Sequence, residues 1–401
     1  MTTPAKLPDA ELLIAELPAG DAAAARMVLE AARAEPAAER GVELAEAADL
    51  PLVLTLANRH GITPLLFRYL GGPAAVVVPP AIMDRLRRHV FGVGRRNLEL
   101  AGELIRISRL LEREGICALP YKGPTLALKA YGDLAARQFE DLDLLVPPAD
   151  LDHAIETVQG AGYTLHPQVS PAQYRSYRRS DCEVWLANAD ETINIELHWA
   201  VRERLYAFSL DLDEVAARSR PMRLAGAQVP GVALEDLLLI LAAHGIKHAW
   251  HRLKWIRDVA GLLTLHPELD WDLVLRQAER LRSERLLLLA LLLPHCLLGA
   301  QLPAEILRRA DRELIGLVAH VARLVLQTRG EEPARKECYS VYLRSRPGLR
   351  ERVRFLAGLA FTPTLAEWES LSLPDPLFPL YHLYRPARLL FRPGAEAGEH
   401  K

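Results

Sequence analysis

The sequence predicts an α+β protein in which a small mixed β-sheet core is flanked by large N- and C-terminal helical regions. Three patterns predict it: residues 8–115 carry apolar side chains at helical spacing, residues 116–199 contain short strand patterns, and helical spacing returns after residue 233. The 401 residues, 50% of them hydrophobic, suffice for roughly two or three domains with a sizeable core.

In the N-terminal region, segments such as DAELLIAEL, LEAARAE and ELIRISRLLEREG place apolar residues three and four apart, which predicts helices. The string GGPAAVVVPP at residues 71–80 interrupts them. Its paired prolines favour a loop or a short edge element over a central strand. We therefore expect a helix boundary there.

The next segment predicts a strand, a turn, a helix and a second strand. Residues 116–122, ICALPYK, are short and apolar, Gly123 opens a helix of about nine residues, and residues 138–146 form the second strand. Asp150 then precedes LDHAIETVQ, whose helical spacing ends at two glycines. This pattern predicts another helix with a glycine stop.

Two later strand patterns, CEVWLA and TINIELHWA, flank a turn-rich stretch at residues 188–191. They predict an antiparallel hairpin. In the second strand, apolar residues alternate with Asn194, Glu196 and His198. Glu196 is therefore expected on the polar face of this strand.

Beyond residue 233 the pattern predicts helices to about residue 360. The tail at residues 373–393 is too rich in proline for one continuous helix and too apolar for a free linker, so we expect it to dock on the body. The last eight residues, 394–401, are expected to be frayed. The predicted regions are an N-terminal helical region at 1–110, an α/β core at 111–230, a C-terminal helical domain at 231–372, and the docking tail with its frayed end at 373–401.

Composition argues against several classes of protein. The net charge of −2 gives no global field that would recruit nucleic acid, so there is no strong nucleic-acid signal. The four cysteines match neither a zinc knuckle nor a disulfide framework, which favours reduced thiols in the cytoplasm. The N-terminus lacks a signal-peptide pattern, and the longest apolar run, residues 286–293, is shorter than the roughly 20 residues of a membrane span.

The most informative motif is the D-x-D of Asp141 and Asp143, because a strand places both carboxylates on one face. Such a pair is unfavourable without a cation, and Mg²⁺ prefers oxygen ligands of this kind. With Glu196 the pair would form a carboxylate triad suited to two-metal phosphoryl or nucleotidyl transfer. The spacing leaves an alternative open, in which Asp141 caps the strand, Asp143 pairs with Arg137, and Glu196 is merely exposed.

A second motif, Lys122-Gly123, ends the first strand and enters a helix. Backbone N–H groups and the helix dipole favour a phosphate at such a position. A Lys-Gly pair alone is common, but here it lies 19 residues before the D-x-D. The combination is more specific than either part.

These motifs belong to a set of residues that carries a family resemblance. The set consists of Lys122-Gly123, Tyr131, Arg137, residues 141–146, Gly162-Tyr163, the I-E-L-H-W string at 195–199, the pattern His244, Lys247, His248, Trp250, Leu253, Lys254 and Asp258, and a terminal Y-x-x-x-R-P. It resembles the uncharacterised nucleotidyltransferase-like family of bacterial proteins within the polymerase-β-type nucleotidyltransferase superfamily. The resemblance spans about residues 50–393 and is most specific at 121–199.

The resemblance implies a nucleotidyltransferase core with an added helical domain. It implies two Mg²⁺ ions, or Mn²⁺ in their place, on Asp141 and Asp143, with Glu196 in the position of the third carboxylate. It also implies an NTP substrate, with ATP favoured. The residues expected to bind nucleotide or substrate are Lys122, Gly123, Thr125, Arg137, His198, His248, Lys254 and Asp258.

One departure from the superfamily pattern concerns the phosphate-binding turn. The superfamily usually has Gly-Ser after the first strand, whereas this chain has Gly123-Pro124. Proline removes both a hydroxyl and an N–H donor. Triphosphate binding must therefore rely on the Gly123 N–H, on Lys122, or on residues elsewhere such as Thr125.

The later helical pattern supports two interpretations. His244 and His248, four apart on a helix, could ligate zinc, but no third ligand is evident and the HExxH motif is absent. We favour a role in which Lys254, with His248 and Asp258, faces the cleft and contacts nucleotide or acceptor. The alternative is that Lys254 pairs with Asp258 on a solvated helix face.

The segment YRSYRRS at residues 174–180 interleaves Arg175, Arg178 and Arg179 with tyrosines. Such a segment could grip phosphates or stack on a base. A charge run of this kind is, however, more often a solvated helix face.

Three functions remain in competition. The first is a Mg²⁺-dependent transfer of an NMP group from an NTP to an acceptor, with release of pyrophosphate; the acceptor is a small molecule, peptide, protein or tRNA. The second is a kinase-like phosphotransferase that uses the same carboxylates on the γ-phosphoryl group. The third is a non-catalytic nucleotide or peptide binder, which the Gly123-Pro124 turn favours and the three carboxylates oppose.

Overall fold

A computed structural model describes residues 7–328, 332–346 and 348–391. The N-terminal region is helical, as predicted. Residues 71–80 contain only a short 3₁₀ turn, Pro73–Val76, between the fifth and sixth helices, so this segment is a loop and not an edge strand. The helices are α1 (Ala10–Ile14), α2 (Ala19–Ala32), α3 (Gly41–Ala47), α4 (Leu50–Arg59), α5 (Thr63–Leu70) and α6 (Pro80–Arg113).

The central region contains the predicted mixed sheet. The strand, turn, helix and strand after residue 116, the helix after Asp150 and the antiparallel hairpin are all confirmed. The pattern did not predict the third strand, which has only three residues. The elements are β1 (Leu119–Pro120), α7 (Gly123–Tyr131), β2 (Asp141–Leu145), α8 (Leu151–Gly160), β3 (Thr164–His166), α9 (Pro171–Ser180), β4 (Glu183–Ala187) and β5 (Asn194–His198).

The order of the strands in the sheet is β1-β2-β5-β4-β3. β2 and β5 are parallel neighbours, whereas the other adjacent pairs are antiparallel. In the β2–β5 pairing, Asp143 is the register partner of Glu196. The crossover between these two strands therefore brings residues far apart in sequence onto one patch of sheet.

The two faces of the sheet meet different partners because side chains alternate along a strand. Leu142 and Leu144 of β2 and Ile195 and Leu197 of β5 belong to a buried cluster with α6 and α8. On the other face, Leu145 belongs to the large core of the helical regions. Asp141 and Asp143 alternate with the leucines, so they lie on the face turned toward the helical regions.

A second, two-stranded sheet follows, and the sequence patterns did not predict it. It is preceded by α10 (Leu212–Arg218) and consists of β6 (Arg220–Leu224) and β7 (Ala227–Gly231). Ala225 and Gly226 both have positive φ in the two-residue turn between the strands. An alanine at such a position is rare, so the usual Asn-Gly or Asp-Gly signal of this turn is missing.

The C-terminal region is helical, as predicted. The described helices are α11 (Leu234–Lys247), α12 (Leu253–Leu265), α13 (Trp271–Arg280), α14 (Glu284–Leu298), α15 (Ala304–Arg308), α16 (Arg312–Leu326), α17 (Arg335–Ser345), α18 (Leu349–Phe361), α19 (Leu365–Ser370) and α20 (Tyr381–Phe391). Pro294 lies inside α14 and does not end it.

α12 packs closely on α7 because Gly261 has no side chain. A Cβ at Gly261 would lie 1.9 Å from the carbonyl oxygen of Ala130, the residue before the end of α7. Arg257 also donates a hydrogen bond to this carbonyl, at 3.2 Å. The contact fixes α7, and with it the Lys122-Gly123 turn, against the C-terminal helical region.

The described part of the tail packs on the body. Residues 375–380 form a 3₁₀ turn that leads into α20, and Tyr381 is fully buried. The buried Glu367 carboxylate accepts hydrogen bonds from Arg385 at 2.7 Å and Arg388 at 2.6 Å. The prediction of fraying at 394–401 falls outside the described residues.

Among the described residues, α6 is the longest helix, but it carries many charged side chains. None of the described helices combines the length and apolar character required to cross a bilayer. The four cysteines form no disulfide bond.

Candidate active site

The structure brings the three predicted carboxylates together on one face of the sheet. Asp141 and Asp143 lie on β2, and Glu196 lies on the neighbouring strand β5, opposite Asp143. Asp143 is only 2% exposed. Three acids at this spacing repel one another, so the patch is a place where a cation is favourable.

Two basic side chains already contact Asp143. Lys122 Nζ lies 2.6 Å from Asp143 Oδ1, and His198 Nε2 lies 3.3 Å from the same oxygen. His198 Nε2 is also 3.2 Å from Glu196 Oε2. The other carboxylate oxygen of Asp143, Oδ2, is buried and has no hydrogen-bond partner among the described residues.

The electrostatics of the carboxylates reflect this crowding. Burial, followed by the nearby Asp143 charge, raises the pKa of Asp141 to about 6. Burial, followed by the charge of Glu183, raises the pKa of Glu196 to about 8. Burial alone would also raise the pKa of Asp143, but Lys122 and His198 outweigh it and hold this pKa well below its usual range. Asp143 is therefore the most acidic of the three predicted carboxylates.

Sequence reasoning missed one acid of the site, Glu183. Its Oε2 lies 3.0 Å from Nδ1 of His198, its register partner across the β4–β5 hairpin. Burial alone would raise the pKa of Glu183, but His198 and Lys247 hold it well below its usual range. Six residues separate the two strands of the hairpin, and this loop sets a register that places Glu183 opposite His198 on the polar face. The register could therefore have identified Glu183 from the sequence.

The Lys122-Gly123 turn leads directly into the N-terminus of α7. Gly123 has φ +52°, and a Cβ there would lie 3.2 Å from the carbonyl oxygen of Asp141. No side chain caps this helix end. The hydroxyl of Thr125 is buried and donates to the Lys122 carbonyl at 2.9 Å, so it braces the turn.

Arg137 and Asp258, both predicted to bind nucleotide or substrate, form an ion pair with each other. Arg137 donates to Asp258 through Nε at 2.8 Å and Nη2 at 3.0 Å, and the hydroxyl of Tyr131 donates to Asp258 at 2.8 Å. The group is buried between α7, α12 and the segment before β2. The two alternative pairings, Arg137 with Asp143 and Lys254 with Asp258, do not occur among the ion pairs of the described residues.

Lys254 lies near Asp141 and has no ion pair among the described residues. Burial, followed by the charge of Arg137, lowers the pKa of Lys254 to about 8. The Lys254 charge in turn acts to lower the pKa of Asp141. An ammonium group in this place is available to an anionic ligand.

His248 lies on Trp255, with the ring centroids 4.8 Å apart and the planes 28° from parallel. The ring centroids of His244 and His248 are 5.0 Å apart. Burial, followed by the charge of Lys122 for His244 and of Lys247 for His248, holds both pKa values well below the usual range. Within the described part of the chain, these two histidines join no group of three metal-ligating side chains.

The groups of possible metal ligands lie elsewhere, at the carboxylates. The donor atoms of Asp143, Glu196 and His198 all lie within 4.8 Å of one another. Together with the unsatisfied Asp143 Oδ2, this donor set fits a divalent cation, and carboxylate oxygens suit a hard ion. A second group, Cys182, Glu183 and His198, shares the histidine.

The family of the chain follows from a comparison of sequences. A family model described as "uncharacterised nucleotidyltransferase" matches residues 46–299, which is well over half of the chain. The chain belongs to this nucleotidyltransferase family. The resemblance that the motifs predicted is thereby confirmed, and every predicted site residue lies within the matched segment.

Two further comparisons add little to this family assignment. A solved structure described as an antigenic nucleotidyltransferase-like protein from Paracoccidioides brasiliensis is similar at 13% identity with a TM-score of 0.30; the match covers 53% of this chain and 97% of that chain. No curated protein matches. The nucleotidyltransferase segment ends within the C-terminal helices, so α15 to α20 lie beyond it.

Proposed function

We propose that this nucleotidyltransferase family member is a Mg²⁺-dependent enzyme that moves an NMP group from an NTP, with ATP favoured, to an acceptor and releases pyrophosphate. One observation carries the proposal. Asp143 faces Glu196 across parallel strands, with a buried carboxylate oxygen unsatisfied, beside a helix N-terminus that no side chain caps. A metal-bound triphosphate would satisfy all three features.

Asp141, Asp143 and Glu196 are the residues that would hold the metal. When bound, Mg²⁺ would neutralise phosphate charge and stabilise the charge on the attacking and leaving oxygens. His198 Nε2 lies 3.3 Å from Asp143 Oδ1 and 3.2 Å from Glu196 Oε2, so it contacts both carboxylates. It thereby fixes their orientation, a role typical of the residues that surround metal ligands.

The triphosphate would lie at the N-terminus of α7. The Gly123 N–H, the ammonium group of Lys122 and the ammonium group of Lys254 are the donors on this side of the site. Pro124 offers no N–H, and the Thr125 hydroxyl is already bonded to the Lys122 carbonyl. Thr125 therefore supports the turn. The two lysines supply positive charge for the triphosphate in place of the contacts that a Gly-Ser turn would make.

The transfer itself is an exchange of bonds at the α-phosphorus. The acceptor oxygen forms a bond to this phosphorus, and the bond from phosphorus to the oxygen that bridges to the β-phosphate breaks. Glu196, which a bound Mg²⁺ would keep ionised, takes the proton of the acceptor, and pyrophosphate leaves with the electrons of the broken bond. Lys122 and Lys254 offset the charge that develops on the leaving group.

Calorimetry with each of the four NTPs, in the presence and absence of Mg²⁺, tests the nucleotide site. We expect saturable, Mg²⁺-dependent binding of one NTP to the wild type and loss of this binding in Asp141→Asn/Asp143→Asn. The exposed Asp84→Asn is the matched control and should bind as the wild type does. If the wild type binds none of the four nucleotides, nucleotidyl transfer is no longer supported.

Labelled ATP then separates nucleotidyl transfer from phosphotransfer. With a metabolite extract as the source of acceptor, we expect the label of [α-³²P]ATP to enter a product while pyrophosphate is released. Entry of the γ-label, with ADP as the by-product, would instead identify a phosphotransferase. Nucleotide binding that persists in Asp141→Asn without any product would identify a non-catalytic binder.

A further inference from the structure

A cavity of about 740 Å³ lies between α9, the turn at residues 204–206, α18 and the docked tail. Four arginines line it: Arg175, Arg179, Arg204 and Arg354. None of the four has a carboxylate within ion-pair distance among the described residues. The cavity is therefore a concentration of uncompensated positive charge in a concave site.

The acidic residue that lines this cavity does not neutralise the arginines. The carboxylate of Asp375 accepts hydrogen bonds from the Ser170 hydroxyl at 2.6 Å and the Ala172 N–H at 3.1 Å. It thus joins the tail to the N-terminus of α9, where a negative charge complements the helix dipole.

The arginines of α9 have different surroundings. Arg178 pairs with Asp152 at 2.8 Å and lies over the Trp199 ring at 5.3 Å. Arg175 and Arg179, one helical turn apart, are exposed and line the cavity. Neither has an ion pair among the described residues, so both guanidinium groups are open to an anionic ligand.

The opposite wall brings two more arginines together by close packing. Gly358 of α18 lies against Leu205, where a Cβ would come within 3.0 Å of the Leu205 Cβ. Arg354 precedes Gly358 by one helical turn, and Arg204 precedes Leu205. The contact holds both arginines at the same wall, beside the rings of Phe378 and His382.

The cavity adjoins the candidate active site along the chain. Ser180, which lines it, is three residues from Glu183, and three extended residues span at most about 10 Å. Glu183 contacts His198 at 3.0 Å. Arg204 follows Glu203, whose carboxylate pairs with Lys247 at 3.1 Å. The cavity and the carboxylate site are therefore joined by two short stretches of chain, residues 180–183 and 203–204.

We propose that this cavity binds the acceptor of the transfer, and that the acceptor is a phosphorylated small molecule. Arginine binds phosphate through several N–H donors, and four unpaired arginines match a ligand with more than one negative charge. The volume lies within the range of small-molecule sites, and Phe378 with His382 offers a wall for the ligand's ring. The acceptor role rests on the proposed nucleotidyl transfer, whereas the phosphate site does not.

The test uses fructose 1,6-bisphosphate as the probe and the full chain without Mg²⁺, by calorimetry at low salt. We expect the wild type to bind the bisphosphate and not fructose, and Arg175→Gln/Arg204→Gln to bind it at least tenfold more weakly. Arg178→Gln, which changes an arginine that is paired with Asp152 and does not line the cavity, should bind within twofold of the wild type. Equal affinity in the double variant, no binding to the wild type, or binding of citrate but not of the bisphosphate would each overturn the proposal.

Two crossed measurements separate this inference from the proposed function. Asp141→Asn/Asp143→Asn should lose Mg²⁺-dependent NTP binding and keep the bisphosphate, while Arg175→Gln/Arg204→Gln should keep the NTP. Bisphosphate binding without any NTP binding to the wild type contradicts the proposed function and, with it, the acceptor role. NTP binding without bisphosphate binding contradicts only the cavity. Arg354→Gln provides a second variant if the double substitution lowers the thermal stability.

Discussion

The Lys122 ammonium group lies 2.6 Å from Asp143 Oδ1, in a pair whose side chains are 13% and 0% exposed. This lysine is therefore the nearer of the two basic contacts of Asp143, since His198 Nε2 lies 3.3 Å from the same oxygen. It also occupies only one of the two oxygens, since Asp143 Oδ2 has no hydrogen-bond partner among the described residues. Lysine and metal can thus share one carboxylate, each on its own oxygen.

Lys122→Gln should destabilise the protein by about 3–5 kcal/mol, because it removes one partner of a buried ion pair and leaves His198 as the remaining basic contact of Asp143. Mg²⁺ should offset part of this loss, so we expect it to raise the melting temperature of the variant more than that of the wild type. Chemical denaturation and thermal unfolding, each with and without Mg²⁺, measure the two effects.

The exposed pair of Arg87 and Asp84 provides the control for Lys122. Its side chains are 63% and 52% exposed, so Arg87→Gln should change stability by no more than about 1 kcal/mol and should not respond to Mg²⁺. Equal losses in Arg87→Gln and Lys122→Gln would mean that the Lys122 pair is not buried in solution.

Gly123→Ala and Gly102→Ala should change stability in opposite directions. Gly123 has φ +52°, and an alanine Cβ there would lie 3.2 Å from the carbonyl oxygen of Asp141. Gly123→Ala should therefore lower the free energy of unfolding by about 1–2 kcal/mol. Gly102 lies on an exposed position of α6, and no atom lies within 4 Å of the place that a Cβ would take, so alanine should stabilise by about 0.5–1 kcal/mol. Urea denaturation of both variants gives the two signs, and a stabilised Gly123→Ala would show that the turn relaxes freely.

Most of the fold could be predicted because its elements have strong local patterns. The D-x-D strand alternates acid and leucine, and the leucines form the sheet core while the acids face the helical regions. The parallel pairing of Asp143 with Glu196 was harder to predict. It depends on a crossover that no local pattern specifies, and only the nearness of Glu196 in the same α+β region suggested it.

The parts that could not be predicted depend on tertiary contacts or on atypical turns. The sequence suggested Asp143 as an alternative partner of Arg137 and did not suggest Asp258. The packing of α12 on α7 places Asp258 within reach of Arg137. The β6–β7 hairpin turns at Ala225, which lacks the residue types that mark such turns. Glu183 could have been found by pairing the hairpin strands residue by residue.

Removal of the Asp258 charge should be more costly than removal of the Tyr131 hydroxyl. Asp258→Asn leaves Arg137 buried with no carboxylate, so we expect a loss of about 3–5 kcal/mol. Tyr131→Phe removes one hydrogen bond to a charged group, so we expect about 1.5–3 kcal/mol. Asp190→Asn, on the exposed turn of the hairpin, is the control. If Asp258→Asn and Tyr131→Phe prove as stable as this control in chemical denaturation, the Arg137–Asp258 brace does not stabilise the fold.

The buried His60 should make the protein less stable in mild acid. Its side chain is 3% exposed, and its Nδ1 accepts a hydrogen bond from the Leu253 N–H at 3.3 Å. Burial, followed by the charges of Arg59, His251 and Arg252, lowers its pKa from 6.5 to about 3. The contribution of neutral His60 is therefore fully present above pH 6.5 and is lost as the pH falls from 6.5 toward 3, because only the unfolded chain binds the proton there.

From this single group we expect a loss of about 2 kcal/mol between pH 7.5 and pH 5. His60→Asn keeps a hydrogen-bond acceptor near the Leu253 N–H but does not titrate, so its stability should fall by about 2 kcal/mol less than that of the wild type over the same interval. Chemical denaturation of both proteins at the two pH values gives the difference. A His60→Asn variant that retains the wild-type pH dependence would mean that His60 takes up its proton without unfolding.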